Sequence, residues 1–87
     1  MKKHVKIYLE GMGFVESDFI PCEICNCKAV DIHHIEARGM GGDPQAKKDT
    51  LDNLMALCRR CHVEYGDITE FKEYLISIHK LNIEIRS

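Results

Sequence analysis

Four cysteines in two pairs are the residues of this chain whose spacing most clearly predicts chemistry. The pairs are Cys22 with Cys25 and Cys58 with Cys61. Each pair encloses two residues, so both thiolates can reach one metal ion from a single tight turn, and two such pairs complete a tetrahedral zinc shell. Four sulfurs leave no position on the ion for a substrate. We therefore expect a structural zinc rather than a catalytic one.

Histidines lie beside both cysteine pairs, although a four-sulfur zinc site needs none of them. His33 and His34 follow the first pair, and His62 directly follows Cys61. Neighbouring side chains of a strand point to opposite faces, so His33 and His34 are expected to have different roles. One can bind a second cation shared with His62, and the other can meet the substrate. Asn53 carries an amide that can bond to the backbone or to a histidine ring.

The length and cysteine count support metal binding over disulfides. With 87 residues, the chain buries little apolar surface, so an additional staple such as zinc is expected. No apolar stretch is long enough for a signal peptide or a membrane span. We therefore expect a cytoplasmic protein, prokaryotic or phage-encoded, whose thiols stay reduced. Cys27 makes the count odd; it can compete with Cys25 as a ligand, but the matching spacing of the two pairs leaves it free.

The net charge of the chain counts mildly against a nucleic-acid partner. The formal net charge is -2, whereas nucleic-acid-binding domains usually carry a basic excess. Basic residues nevertheless cluster between the cysteine pairs, and a local basic face can contact phosphate. They are Lys28, Arg38, Lys47, Lys48, Arg59 and Arg60.

The segments on either side of the first cysteine pair are expected to frame the site. Residues 4–10 suit a short helix or a strand, and we favour a helix stopped by Gly11 and Gly13. Residues 28–35 are β-compatible and bounded by the cysteines and the glycines, which predicts the strand that carries both neighbouring histidines. Residues 38–50 then form a polar loop that is long for so small a domain, as functional loops often are.

The second cysteine pair is predicted to lead into helices. The apolar run 54–57 enters the pair, and residues 61–65 are expected to form one or two helical turns closed by Gly66. Asp67 is predicted to cap a final helix, with Glu70 in the capping-box position. The apolar face of that helix is expected to pack on the strand and the N-terminal segment. It contains Ile68, Phe71, Leu75 and Ile78.

The motifs, taken in order, resemble the HNH endonuclease family, also described as ββα-metal or His-Me finger nucleases. The resemblance covers about residues 21–66 and matches the branch of the family with a four-cysteine zinc site. It implies a small α+β fold with a β-hairpin and a helix around the catalytic metal, flanked by N- and C-terminal helices, and residues 1–87 as a single nuclease domain. The motifs are Cys22-Glu23-Ile24-Cys25, Asp31-Ile32-His33-His34-Ile35, Gly41-Gly42, Asn53-Leu54, Leu57-Cys58 and Cys61-His62.

The same resemblance implies residue roles and a reaction. His34 is implied as the general base, His33 and His62 as ligands of a catalytic Mg²⁺, Mn²⁺ or other divalent ion, and Asn53 as the central catalytic asparagine. The implied reaction is hydrolysis of DNA phosphodiester bonds, by nicking or by cutting both strands. Arg38 is our candidate for a phosphate contact, because its planar fork suits phosphate oxygens.

One departure from the family concerns the catalytic ion. Relatives with a further metal-binding histidine, four residues after the last motif histidine, would carry it where this chain has Gly66. We therefore expect few protein ligands on the ion. Asp31 either reaches the ion itself or supports one of the histidine ligands.

A non-catalytic zinc module that binds nucleic acid or protein is the alternative function. Four cysteines alone favour such a module over a nuclease. The histidines and the asparagine decide between the two, because a binding module has no chemical reason to assemble a general base beside a second metal site.

Overall fold

A computed structural model describes residues 2–36 and 49–86 and shows a small α+β fold. A two-stranded antiparallel sheet is flanked by helices and by the four-cysteine cluster, as the family resemblance implied. In chain order the elements are α1 (Lys3–Met12), β1 (Asp31–His34), β2 (Leu54–Leu57), α2 (Arg59–Cys61) and α3 (Lys72–Arg86). A π-helical turn, His62–Gly66, continues α2, and 3₁₀ turns cover Leu51–Asn53 and Thr69–Phe71. Within these ranges no helix has the length and apolar character to cross a bilayer.

The sheet lies between two apolar clusters, so every side chain of β2 is buried. Alternate residues of β2 pack against α1 on one face, and against two of the cysteines and Leu75 of α3 on the other. Burying one Leu or Met side chain contributes about 1.5–3 kcal/mol, which makes β2 the centre of the core. The α1 cluster contains Tyr8, Leu9, Met12, Leu54 and Ala56; the opposite cluster contains Cys22, Ile35, Met55, Leu57, Cys61 and Leu75.

The first helix is confirmed, and the first strand is shorter than predicted. α1 ends at Met12 and is capped by Gly13, whose φ of 79° is left-handed, while Gly11 lies inside the helix instead of stopping it. The strand predicted over residues 28–35 forms only over Asp31–His34. Lys28 instead pairs with Pro21 in an isolated bridge that closes the first cysteine turn.

The predicted capping role of Asp67 is wrong. Asp67 follows the π-helical turn with a φ of −101° and a ψ of 15°, whereas an N-cap residue needs extended backbone. A 3₁₀ turn with no side-chain cap precedes α3, which begins at Lys72. Of the predicted apolar face, Leu75 is buried, but Ile68 lies outside α3 and is 38% exposed.

A buried polar network joins the first cysteine turn to both terminal helices. Tyr8 Oη donates to Glu23 Oε2 at 2.7 Å, and Asn82 Nδ2 donates to Glu23 Oε1 at 3.0 Å. His79 Nδ1 lies 2.8 Å from Glu23 Oε1, and its Nε2 lies 2.6 Å from the Leu51 carbonyl oxygen. Burial alone would lower the pKa of His79, but its hydrogen bond to Glu23 and the charge of that carboxylate outweigh burial and raise it. The network thus contains a buried ion pair.

Candidate active site

The four paired cysteines form one cluster with the dimensions of a zinc site. One sulfur from each lies within 4.8 Å of the others, and Cys25 Sγ is 3.6 Å from Cys58 Sγ. Zinc–sulfur bonds of about 2.3 Å in a tetrahedron place the sulfurs about 3.8 Å apart. All five cysteines of the chain are described, and none forms a disulfide. The cluster can therefore hold zinc, as the spacing predicted, and Cys27 is exposed outside it.

Each cysteine pair is positioned by its own turn. In the first, Asn26 adopts a left-handed φ of 67°, and Cys22 N–H donates to the Cys27 carbonyl at 2.6 Å. In the second, Cys58 caps α2, because its sulfur accepts from the Cys61 N–H at 3.5 Å. Burial raises the pKa of the Cys61 thiol. A cation is accordingly needed to keep four thiolates together.

A second group of metal-binding side chains contains His33, His62 and Asp67. One donor atom from each lies within 4.8 Å of the others. His33 Nδ1 is 3.2 Å from His62 Nε2, and Asp67 Oδ2 is 3.8 Å from the same Nε2. Two ligands about 2.1 Å from one ion and at right angles lie about 3.0 Å apart, so the two nitrogens fit a shared cation. Burial, and then the neighbouring His62, lower the pKa of His33, which favours the neutral ring that a metal requires.

The backbone at Gly66 explains how the two rings come together. A Cβ at this position would lie 2.6 Å from His62 Cδ2 and 3.5 Å from His33 Cε1, so only glycine leaves the space that the His62 ring occupies. Gly66 has no positive φ, and its predicted role as a left-handed helix end is therefore replaced by a steric one. π-Helical turns such as His62–Gly66 are rare and are frequently found at functional sites.

Asp31 lies behind His62 rather than within the metal-binding group. Its Oδ2 is 3.5 Å from His62 Nδ1 and 3.7 Å from Arg59 Nη2. Nδ1 is the ring nitrogen that does not face His33, so the carboxylate is placed to orient the His62 ring from the far side.

His34 faces away from His33 on the strand and has a carboxylate partner of its own. Its Nε2 lies 2.6 Å from Asp49 Oδ1, and its ring centroid lies 4.8 Å from that of His4 on α1. An ionised carboxylate only accepts, so Nε2 donates and the lone pair of the neutral ring is on Nδ1. No sequence motif marks Asp49, which follows a 12-residue stretch outside the described ranges.

His33 and His34 nevertheless both line one cleft of about 270 Å³. Asp67 and Lys72 line the same cleft. Lys72 makes no ion pair with any residue of 2–36 or 49–86. A general base candidate, two members of the metal-binding group and a cation therefore border a single cleft.

Among residues 2–36 and 49–86, Asn53 bonds to backbone groups. Its Oδ1 accepts from Glu36 N–H at 2.8 Å, its Nδ2 donates to the Glu36 carbonyl at 3.1 Å, and its own carbonyl accepts from Ile35 N–H at 2.9 Å. These bonds fix the backbone just beyond His34. The predicted phosphate contact Arg38 and the motif Gly41-Gly42 lie outside the described residues.

The hairpin, the helical turn and the two donor clusters define a fold of the ββα-metal type whose four clustered cysteines could hold zinc. Residues 22–67, more than half of the 87-residue chain, match the model of the HNH endonuclease family. The chain belongs to this family.

The chain is also similar to part of one human zinc finger protein. Human zinc finger and BTB domain-containing protein 40 is 25% identical over 80 residues, which cover 86% of this chain. The match spans only 6% of the human protein. No solved structure matches the chain.

Proposed function

We propose that this chain is an endonuclease that uses a divalent ion, Mg²⁺ or Mn²⁺, to hydrolyse phosphodiester bonds of DNA, with residues 1–87 as a single nuclease domain. The observation that carries the proposal is the cleft shared by His34, His33 and Asp67. A phosphodiester is anionic and a poor electrophile, so its hydrolysis needs a proton acceptor for water together with a cation at the phosphate. Membership of the HNH endonuclease family supports the same reaction class.

His34 serves as the general base. Its Nδ1 accepts a proton from the attacking water, while Asp49 holds the opposite nitrogen at 2.6 Å. The carboxylate fixes the ring tautomer and stabilises the imidazolium that forms when the proton arrives. Asn53 keeps this base in place through its bonds to the Glu36 backbone.

His33 and His62 hold the catalytic ion. Their facing nitrogens, 3.2 Å apart, fit two adjacent positions on one cation, and Asp31 orients the His62 ring from behind. A bound divalent ion supplies Lewis-acid stabilisation of the phosphate and the leaving 3′ oxygen. In keeping with related nucleases, the products are a 5′ phosphate and a 3′ hydroxyl.

Cationic side chains contact the DNA backbone. Lys72 borders the same cleft as the two histidines and has its ammonium unpaired among residues 2–36 and 49–86. Arg38, two residues after Glu36, is a second phosphate contact. Both contacts are independent of base sequence.

Cleavage of supercoiled plasmid with Mg²⁺ or Mn²⁺, combined with isothermal titration of Mn²⁺, tests the proposal. His34→Ala should retain the fold, the zinc and Mn²⁺ binding, and should lower cleavage about a hundredfold or more. His33→Ala should lose Mn²⁺ affinity. A wild-type protein that binds DNA but cleaves no DNA with any divalent ion would favour the non-catalytic zinc module, which the four-cysteine cluster alone also supports.

A further inference from the structure

We infer that Asp67 is the third protein ligand of the catalytic ion, and that its carboxylate directs the site towards oxygen-preferring ions such as Mn²⁺ and Mg²⁺. The inference rests on the proposed function only in using the same ion. It also revises the expectation, drawn from the glycine at position 66, that the ion has few protein ligands.

The geometry at Gly66 brings Asp67 to the ion. A Cβ at position 66 would lie 2.6 Å from His62 Cδ2, so a ligand at this position, as some relatives carry, would require the His62 ring to move. The next residue takes its place: Asp67 Oδ2 lies 3.8 Å from His62 Nε2, the same nitrogen that faces His33. One donor atom each of His33, His62 and Asp67 therefore lies close enough to the others to bind the same ion.

Asp67 has no structural task in the described part of the chain. It does not cap α3, which begins five residues later after an uncapped 3₁₀ turn. Its side chain is 78% exposed, and its ion-pair neighbour is His62. An exposed acid that turns its carboxylate towards two histidines, rather than towards a helix N-terminus or a lysine, is placed as a ligand.

The chemistry of the donor set determines which ion it favours. Imidazole nitrogen suits Zn²⁺ and Ni²⁺, whereas carboxylate oxygen suits Mg²⁺ and Mn²⁺. With two imidazoles and one carboxylate, the site is harder and more negative than a three-histidine site. Absolute affinity still rises from Mn²⁺ to Ni²⁺ at nearly any site, so the informative quantity is the ratio of the two affinities.

Isothermal titration of the zinc-loaded protein with Mn²⁺ and with Ni²⁺, without DNA, tests this assignment. Asp67→Asn should weaken Mn²⁺ binding by about tenfold or more and Ni²⁺ binding by less. Asp67→His should recover Ni²⁺ affinity but not Mn²⁺ affinity. Glu64→Gln removes an exposed acid from the π-helical turn that precedes Asp67. Glu64 is outside the donor group, so this variant should change neither the Mn²⁺ nor the Ni²⁺ affinity.

The titration separates the ligand assignment from the nuclease proposal. Unchanged Mn²⁺ affinity in Asp67→Asn, or no Mn²⁺ binding by the wild-type protein, would overturn the role of Asp67. A wild-type protein that binds Mn²⁺ through Asp67 and cleaves no DNA would instead refute the nuclease while the ligand assignment stands.

Discussion

Asp49 Oδ1 lies 2.6 Å from His34 Nε2, and the Asp49 side chain is only 8% exposed. The carboxylate is therefore a nearly buried acceptor for one nitrogen of the proposed base. Such a partner determines which ring nitrogen carries the proton, and hence which one can receive another.

Asp49→Asn should lower DNA cleavage about 10²–10⁴-fold, because an amide can donate to Nε2 and stabilise the wrong tautomer. Mn²⁺ affinity should be unchanged, since Asp49 is outside the metal-binding group. Asp52→Asn is the matched control; that exposed carboxylate accepts from the Thr50 hydroxyl at 2.6 Å and does not line the cleft of His33 and His34. Equal rates for wild type and Asp49→Asn in single-turnover cleavage would remove Asp49 from the mechanism.

Cys58→Ser should lose the zinc and unfold, because three sulfurs no longer close the shell and a small core depends on it. Cys27→Ser should retain one zinc per chain, since Cys27 lies outside the cluster. Elemental analysis after dialysis against EDTA, with circular dichroism, measures both properties. A folded Cys58→Ser protein without zinc would show that the metal is dispensable.

Gly66→Ala should weaken Mn²⁺ binding about tenfold or more while the zinc and the fold remain. The new Cβ would lie 2.6 Å from His62 Cδ2, so the ring must move away from His33. Helix propensity alone favours Ala over Gly by about 1 kcal/mol, so general destabilisation is not the expected cause. Val63→Ala, at an exposed site on the same turn, controls for the backbone, and wild-type affinity in Gly66→Ala would contradict the steric argument.

Stability should fall as the pH rises above about 6.5, because the folded-state pKa of His79 is raised. The contribution of the protonated ring is complete below the ordinary histidine pKa and is lost as the pH passes the raised folded value. Urea unfolding of the zinc-loaded protein between about pH 6 and 9 measures this loss. His79→Gln lacks the titrating group, so its free energy of unfolding should be lower at pH 6 and should change less between about pH 6 and 9. If the free energies of wild type and variant changed with pH in parallel, the pH dependence would belong to other groups.

Lys72→Ala should weaken binding of unrelated DNA sequences alike and make the salt dependence shallower by about one unit of slope. Lys28→Ala removes an exposed cation beside the cysteines and should leave the slope closer to that of wild type. Fluorescence anisotropy in Ca²⁺ at several salt concentrations provides the slopes. Identical slopes for wild type and Lys72→Ala would place Lys72 outside the DNA interface.

Spacing predicted the parts of the site that are held by short turns, and missed those assembled over distance. The clustering of the four cysteines, and of His33 with His62, follows from local geometry and the family pattern. Asp49 reaches His34 across 15 residues of chain, and no motif marks it. Asp67 was assigned to a helix cap because its sequence context fits one, but the π-helical turn preceding it sets a different backbone conformation. The local signal was misleading at Asp67, and at Asp49 there was no local signal.

Glu23 lies between the two cysteines of the first pair, yet its carboxylate bonds to residues of both terminal helices, including His79 at a separation of 56 positions. Withdrawing the metal would release the turn that presents this carboxylate, and a buried histidine would lose its counter-charge. Loss of zinc should then unfold the whole protein and expose its core to proteases, instead of leaving a folded protein without the metal. Zinc supply would then determine the amount of folded protein, whereas the ion proposed at His33 and His62 would determine the cleavage rate of each folded molecule.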